Sequence, residues 1–271
     1  MFINDKLIYL QLQKTASTHI ALLLDSRLPG KQVGKHGPLT RDPGGRMVVG
    51  SVRNPWNWYV SLWAFGCQQR GAIRNRLVAS FPANLTHILR RNSIHPGRWL
   101  QSVRQLRLQA HKNAALWQSL YASSDDPELF REWLRNMFTG KGKSLQPGEY
   151  PFLPMNRIAG LMTFRFLRLF IDDGVWRNRA SDIKTLADIR ALFEQHCIVD
   201  EFIRTESIER DIARLLTGLG VDVNEEDLQT AKANTSRRRD VNYYYDAESI
   251  ELVREQEQFI IGHFGYEPPA V

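Results

Sequence analysis

At 271 residues with 43% hydrophobic content, the chain can bury a full core as one α/β domain, and its length requires no second one. The two cysteines, Cys67 and Cys197, lie far apart, which excludes a disulfide framework and a cysteine metal cluster. No stretch reaches the ~18 consecutive apolar residues of a membrane-spanning helix, and MFINDKLIYLQLQ carries neither a basic leader nor a cleavage site. A soluble, cytoplasmic protein without a transmembrane segment is expected.

Residues 7–13, LIYLQLQ, form a strand-like apolar run. STHIALLLDSRL, residues 17–28, predicts a helix that stops at Pro29-Gly30. KQVGKHG (31–37) reads as a short second strand, and MVVGSV (47–52) as a clearer third, apolar without alternation as a parallel strand covered on both faces should be. Pro55 suits a first helical position, and WNWYVSLWAFG continues as a helix to Gly66. Residues 71–123 read as mostly helical, broken by His95-Pro96-Gly97, and 128–138 as another short helix. TGKGKSLQPGEYPFLP (139–154), rich in Gly, Pro and Lys, predicts a mobile loop. A core helix is expected over 156–170, an amphipathic helix over 186–196, a fourth strand at IVDEFIRTE (198–206) and a helix over 207–219. Ile250, Val253, Phe259, Ile260 and Phe264 close the chain at helical spacing. Strands alternating with helices predict an α/β three-layer sandwich with a central, mostly parallel sheet that holds ligands at the carboxyl ends of its strands.

The formal net charge of +7 is unevenly placed, with no Asp or Glu between residues 43 and 124 against eleven Arg or Lys. Such a one-signed field favours an anionic ligand, acceptor or surface.

A buried strand that stops at the small, hydroxyl-rich turn KTASTH and leads into a helix aims backbone N–H groups and a helix N-terminus at one point, where anions bind. Lys14 heads that turn, placed to meet a bridging oxygen that gains charge as a group departs. Thr15, Ala16, Ser17 and Thr18 supply further donors. Arg53 ends the third strand, and Ser61 lies two turns into the next helix, so a guanidinium and a hydroxyl can converge on one phosphate. His36, between these two motifs, suits a general base.

Taken together, KTAST (14–18), KHGPL (35–39) and VRNPWNWYVS (52–61) resemble, in type and order, the sulfotransferases that use 3′-phosphoadenosine 5′-phosphosulfate (PAPS). The resemblance covers residues 7–66 and 198–268 and implies one P-loop-NTPase-like domain over 1–271, with 70–197 as a mainly helical, acceptor-side insertion. It makes Lys14 catalytic, with His36 as base. Lys14, Thr15, Ala16, Ser17 and Thr18 become 5′-phosphosulfate ligands, His19 falls near the adenine, and Arg53 and Ser61 hold the 3′-phosphate. Arg237, Arg238 and Arg239 are basic candidates for that same phosphate. Gln13 stands where the family commonly has Pro, and Ala16 where it has Gly, which tightens the turn because a Cβ is costly at positive φ. The expected acceptor is a small molecule, glycan or lipid, anionic by the charge pattern, with neither metal nor nucleic acid expected. Should His36 not be the base, Glu149 is the substitute.

Two other readings compete. A nucleotide-dependent kinase of P-loop-like fold shares the strand–turn–helix opening, but a Walker loop needs GxxxxGK[ST], and this turn has no glycine. A non-enzymatic binder of an anionic polymer would use the basic middle of the chain, which carries no motif for reading bases.

Overall fold

The structure is a computed structural model that describes residues 1–79, 103, 107, 109–228 and 238–270. They form two compact units, each assembled from segments distant in sequence. The first comprises Met1–Trp58, Met162–Thr235 and Phe259–Glu267, the second Tyr59–Leu161, Ser236–Gln258 and Pro268–Val271.

The first unit holds a five-stranded sheet of β1 (Phe2–Ile3), β2 (Leu7–Tyr9), β3 (Lys31–Gln32), β4 (Met47–Val52) and β5 (Glu201–Arg204), in the order β3-β1-β2-β4-β5. β4 pairs in parallel with β2 and β5, whereas β1 is antiparallel to both β2 and β3. The chain is therefore α/β, but its sheet is small and mixed where a mostly parallel one was expected. The difference arises at Asn4, whose side-chain oxygen accepts from the N–H of Lys6 (2.9 Å) and of Leu7 (2.8 Å) and folds the first residues back as a hairpin. A two-residue strand is too short to show alternation, so β1 leaves no periodic signal. Of the stretch expected as a second strand only Lys31–Gln32 is one, at the outer edge of the sheet.

Among the described residues the helices of the first unit are α1 (Ser17–Arg27), the start of α2 (Pro55–Cys67), and, after α3 (Ala72–Val78), α4 (Ala114–Ser119), α5 (Pro127–Phe138) and α6 (Gly140–Ser144) of the second unit, α7 (Leu161–Phe170), α8 (Asp173–Arg179), α9 (Leu186–His196), α10 (Ile208–Gly218) and, following α11 (Ala247–Gln256) of the second unit, α12 (Gln258–Phe264). On one face of the sheet Leu7, Tyr9, Val49 and Ile203 pack against Ile20, Leu23 and Leu24 of α1 and Ile212, Leu215 and Leu216 of α10. On the other, Phe202 meets Phe166 and Phe170 of α7 at ring-centroid distances of 5.4 and 5.2 Å and Phe264 of α12 at 5.3 Å. Such ring pairs are each worth about 0.5–1.5 kcal/mol beyond the area that they bury. Gly50 makes room for them, since a Cβ there would stand 2.7 Å from the Phe202 ring.

The second unit is helical, with α3 (Ala72–Val78), α4 (Ala114–Ser119), α5 (Pro127–Phe138), α6 (Gly140–Ser144) and α11 (Ala247–Gln256) among its described residues. Two of its buried indoles find partners, Trp63 Nε1 donating to the Leu120 carbonyl (2.8 Å) and Trp133 Nε1 to the Tyr121 hydroxyl (2.7 Å). His95, Pro96, Gly97 and much of the basic stretch lie outside the described residues.

Residues 139–154 are not the expected loop. They carry α6 and a 3₁₀ turn, Tyr150–Phe152, followed by a second, Pro154–Arg157. Lys143, only 7% exposed, donates to the Asn156 carbonyl and to Gln256. Of the three glycines that suggested a loop, Gly142 serves close packing instead. A Cβ on Gly142 would lie 1.8 Å from the Asn136 carbonyl oxygen. Likewise the helix expected over 156–170 begins only at Leu161, after that second 3₁₀ turn. Because the obstacle at Gly142 is backbone, Gly142→Ala is expected to cost about 1–3 kcal/mol, the scale of overpacking a filled site. Urea unfolding checks this, and a midpoint unchanged from the parent would contradict it.

Candidate functional site

Past Tyr9, Leu10 N–H still donates to the Val49 carbonyl (2.8 Å), after which the chain turns over residues 13–16 and enters α1. Two residues of that turn are left-handed without being glycine, Lys14 at φ 67° and Ala16 at φ 53°. A Cβ makes this conformation unfavourable by about 1–2 kcal/mol per residue. Side chains brace it. Thr15 Oγ1 donates to the Leu12 carbonyl (2.8 Å), Trp58 Nε1 to the Gln13 carbonyl (2.7 Å) and Arg53 Nη1 to the Lys14 carbonyl (3.0 Å).

Beneath the turn runs a buried chain of hydroxyls. The parallel register sets Tyr9 beside Val49, hence on the same face as Ser51 two residues on, and Tyr9 donates to Ser51 Oγ at 2.8 Å. Ser51 Oγ lies 2.7 Å from Thr15 Oγ1. Since Thr15 gives its proton to the Leu12 carbonyl, Ser51 must donate to Thr15, and the chain is directional from the strands to the turn. Tyr9, Ser51 and Thr15 are all fully buried. Thr15 therefore has its backbone N–H, rather than its hydroxyl, to offer an anion.

α1 is set up to receive one. Ala16 is its N-cap and has no capping side chain, and no acidic residue lies in the first turn. At α2 the corresponding end is closed internally, Asn54 Oδ1 accepting from Trp56 N–H (3.0 Å) and Glu206 accepting from Asn54 N–H (2.8 Å). Of these two helix ends, the one beside Lys14 has no side-chain cap, and the positive end of the α1 dipole lies there.

His36, itself left-handed at φ 61°, hydrogen-bonds through Nδ1 to the Gln11 carbonyl at 2.7 Å. A carbonyl only accepts, so Nδ1 carries the proton and, in the neutral ring, Nε2 is the basic nitrogen. The ring edge is solvent-accessible, yet partial burial holds its pKa below the ordinary histidine value, assisted by the charges of Arg165, Lys35 and the Met1 amine and opposed by the Gln11 bond. Lys35 donates to Thr18 Oγ1 (3.1 Å), and Arg165 lies over the Trp58 ring at 5.7 Å.

Lys14, Thr15, Ala16, Ser17, Thr18, His19, His36 and Arg53 thus gather in the first unit, with His19 buried on the first turn of α1. Ser61 is buried on α2 and belongs to the second unit, as do Arg238 and Arg239. There Arg239 pairs with Asp125 (3.3 Å) and covers the Tyr243 ring (4.7 Å), and burial lowers the pKa of Arg238. Glu149, exposed before the 150–152 turn, is also in the second unit, and Arg237 lies outside the described residues. Among the described residues no group of His, Cys, Asp and Glu gathers to hold a metal ion, and no helix is long and apolar enough to cross a membrane.

The sequence reading missed Tyr9, Ser51, Trp58, Lys35 and Arg165. Ser51 was discernible as the polar position in an otherwise apolar strand, and Trp58 as an indole one turn past a proline N-terminus. Arg165 had no local signal. No family model, curated protein or solved structure matches the chain.

The hydroxyl chain yields a prediction. Thr15→Val leaves the Ser51 proton and the Leu12 carbonyl without their buried partner, a loss of about 1–3 kcal/mol, whereas Thr15→Ser keeps the bonds and costs less. Chemical denaturation of both variants checks the order, and equal losses would assign the effect to packing.

Proposed function

We propose that this chain is a PAPS-dependent sulfotransferase that moves a sulfuryl group to an acceptor hydroxyl or amine. The observation that carries the reading is the braced, glycine-free turn at residues 13–16, headed by Lys14 and opening on the uncapped end of α1, with the basic face of His36 nearby in the chain's first unit. The finer architecture, a P-loop-NTPase-like three-layer sandwich, is part of the same proposal, supported by the parallel set β2–β4–β5 and by helices against both faces of the sheet. The anion fits this site because the donors are backbone N–H groups at a helix end, beside a lysine and an arginine.

In this mechanism the backbone of residues 15–18 holds the 5′-phosphosulfate, and Arg53 holds the 3′-phosphate while bracing Lys14. The donor supplies a sulfuryl group on a bridging oxygen that departs as adenosine 3′,5′-bisphosphate. The Lys14 ammonium stabilises the charge that develops on that oxygen, and His36 Nε2 removes the acceptor proton. No step draws on a metal. The kinase reading ranks lower because a polyphosphate wrap relies on glycine, and here the left-handed positions are Lys14 and Ala16.

The test is ligand-dependent thermal stabilisation, expected with adenosine 3′,5′-bisphosphate and not with ATP-Mg²⁺. Stabilisation by ATP-Mg²⁺ alone would favour a kinase, and by DNA alone a polymer binder. Lys14→Met is expected to retain bisphosphate binding but transfer sulfate at least ~100-fold more slowly, because its interaction grows as the leaving oxygen gains charge. Near-normal turnover would remove Lys14 from the mechanism.

For His36 the sign follows from its lowered pKa: the neutral base persists to lower pH than in an ordinary histidine. The rate should rise with pH through a midpoint below ~6.5 and then level off. His36→Ala should abolish that limb and lose ~100-fold in turnover, with bisphosphate affinity near normal. A variant that kept the limb would show that another group is the base.

A further inference from the structure

Two helices of the first unit, α9 and α12, each offer three residues at the i, i+3, i+4 spacing that shares one helix face. Arg190, Phe193 and Glu194 of α9 and Phe259, Gly262 and His263 of α12 together line a cleft of about 210 Å³. Its rings hold one another in place. Phe193 meets Phe259 edge-on at 5.2 Å between centroids and His263 at 4.7 Å, while the Phe259 and His263 rings lie nearly parallel, 21° apart. Phe193 and Phe259 are buried and pack on Phe166 at 5.6 and 6.0 Å, so this wall belongs to the core. Burial lowers the pKa of His263, and at neutral pH its ring is uncharged. Gly262 leaves its part of the wall bare, since a Cβ there would meet nothing within 4 Å.

Arg190 and Glu194 are exposed, opposite in sign and one turn apart, a spacing at which helix charges attract. They do not pair here. Among the described residues neither has an ion-pair partner, and the order, cation before anion, is the weaker one for such a pair. The cleft therefore presents one charge of each sign beside an aromatic wall. We infer that it binds a free α-amino acid with an aromatic side chain, the carboxylate on Arg190, the ammonium on Glu194 and the ring against Phe193, Phe259 and His263. A guanidinium can take a carboxylate through two parallel N–H···O bonds, and an ammonium donates to a carboxylate with charge-assisted strength. A simple amine or acid would leave one of the two charges unanswered, and an internal peptide residue would bring neither. The volume also suits so small a ligand, because sites for drug-sized molecules run to roughly 300–1,000 Å³. No residue of the cleft belongs to the turn at 13–16, so this binding is independent of sulfuryl transfer.

Calorimetric titration of the full chain with L-phenylalanine, phenethylamine, 3-phenylpropionate and glycine tests this, since the last three lack in turn the carboxylate, the ammonium and the ring. L-Phenylalanine is expected to bind at least ~10-fold more tightly than each of the others, the scale of one hydrogen bond to a charged group. Arg190→Gln should bring L-phenylalanine close to the affinity of phenethylamine, and Glu194→Gln close to that of 3-phenylpropionate. Both residues are exposed, so neither change should move the thermal midpoint. Gly262→Leu should abolish binding by filling the cleft. It should not lower the midpoint, because the new Cβ meets no neighbour and leucine suits a helix better than glycine. The absence of saturable L-phenylalanine binding would overturn the assignment. Equal affinity for L-phenylalanine and either singly charged analogue, or undiminished binding by the Gly262→Leu protein, would overturn it as well.

Discussion

The first unit is organised around a backbone conformation that L-residues resist. Lys14 and Ala16 both sit at positive φ, in a turn with no glycine to relieve them. The strain is held by bonds to three successive carbonyls, those of Leu12, Gln13 and Lys14, each given by a side chain from a different part of the chain or of the turn itself. A net contribution of about 0.5–1.5 kcal/mol for a neutral hydrogen bond, and more for the charged Arg53, is of the right size to offset two such residues. With the Leu12, Gln13 and Lys14 carbonyls all occupied, the turn is held in one conformation at the start of α1.

That brace also ties the site to the sheet. The directional chain from Tyr9 through Ser51 to Thr15 links β2 and β4 to the turn, so the parallel register of these strands sets where Thr15 can be. Arg53 and Trp58 stand at and just beyond the end of β4, and the start of α2 that carries Trp58 is fixed in turn by Asn54 and Glu206. A shift in strand register would therefore move the lysine and its supporting groups together. A site built on strand ends in this way is more exact than one built on a free loop.

Charge then separates two helix ends that the sequence makes look alike. Both α1 and α2 leave the carboxyl edge of the sheet, but α2 satisfies its first N–H groups internally, and α1 begins at an alanine that cannot. Around the α1 end lie Lys14, Lys35, His36, Arg53 and Arg165, with the carboxylate of Glu206 engaged at α2. Of these basic residues only Arg53 comes from the acid-free stretch at 43–124.

The sequence by itself determined the strand–turn–helix unit at residues 7–27, the parallel strand at 47–52 and the positions of Lys14, His36 and Arg53, because these follow from local pattern. It also carried the warning at Ala16, since positive φ at that turn was foreseeable from the missing glycine. Only the tertiary structure decided the rest. The hairpin of β1 is too short for a period, and the packed state of residues 139–154 depends on Asn136 standing 1.8 Å from where a Cβ of Gly142 would be. Trp58 reaches the Gln13 carbonyl of the turn, and Arg165 covers the Trp58 ring from more than a hundred residues further along the chain. Contacts at that separation depend on register and helix packing, which leave no mark in the neighbourhood of any one residue.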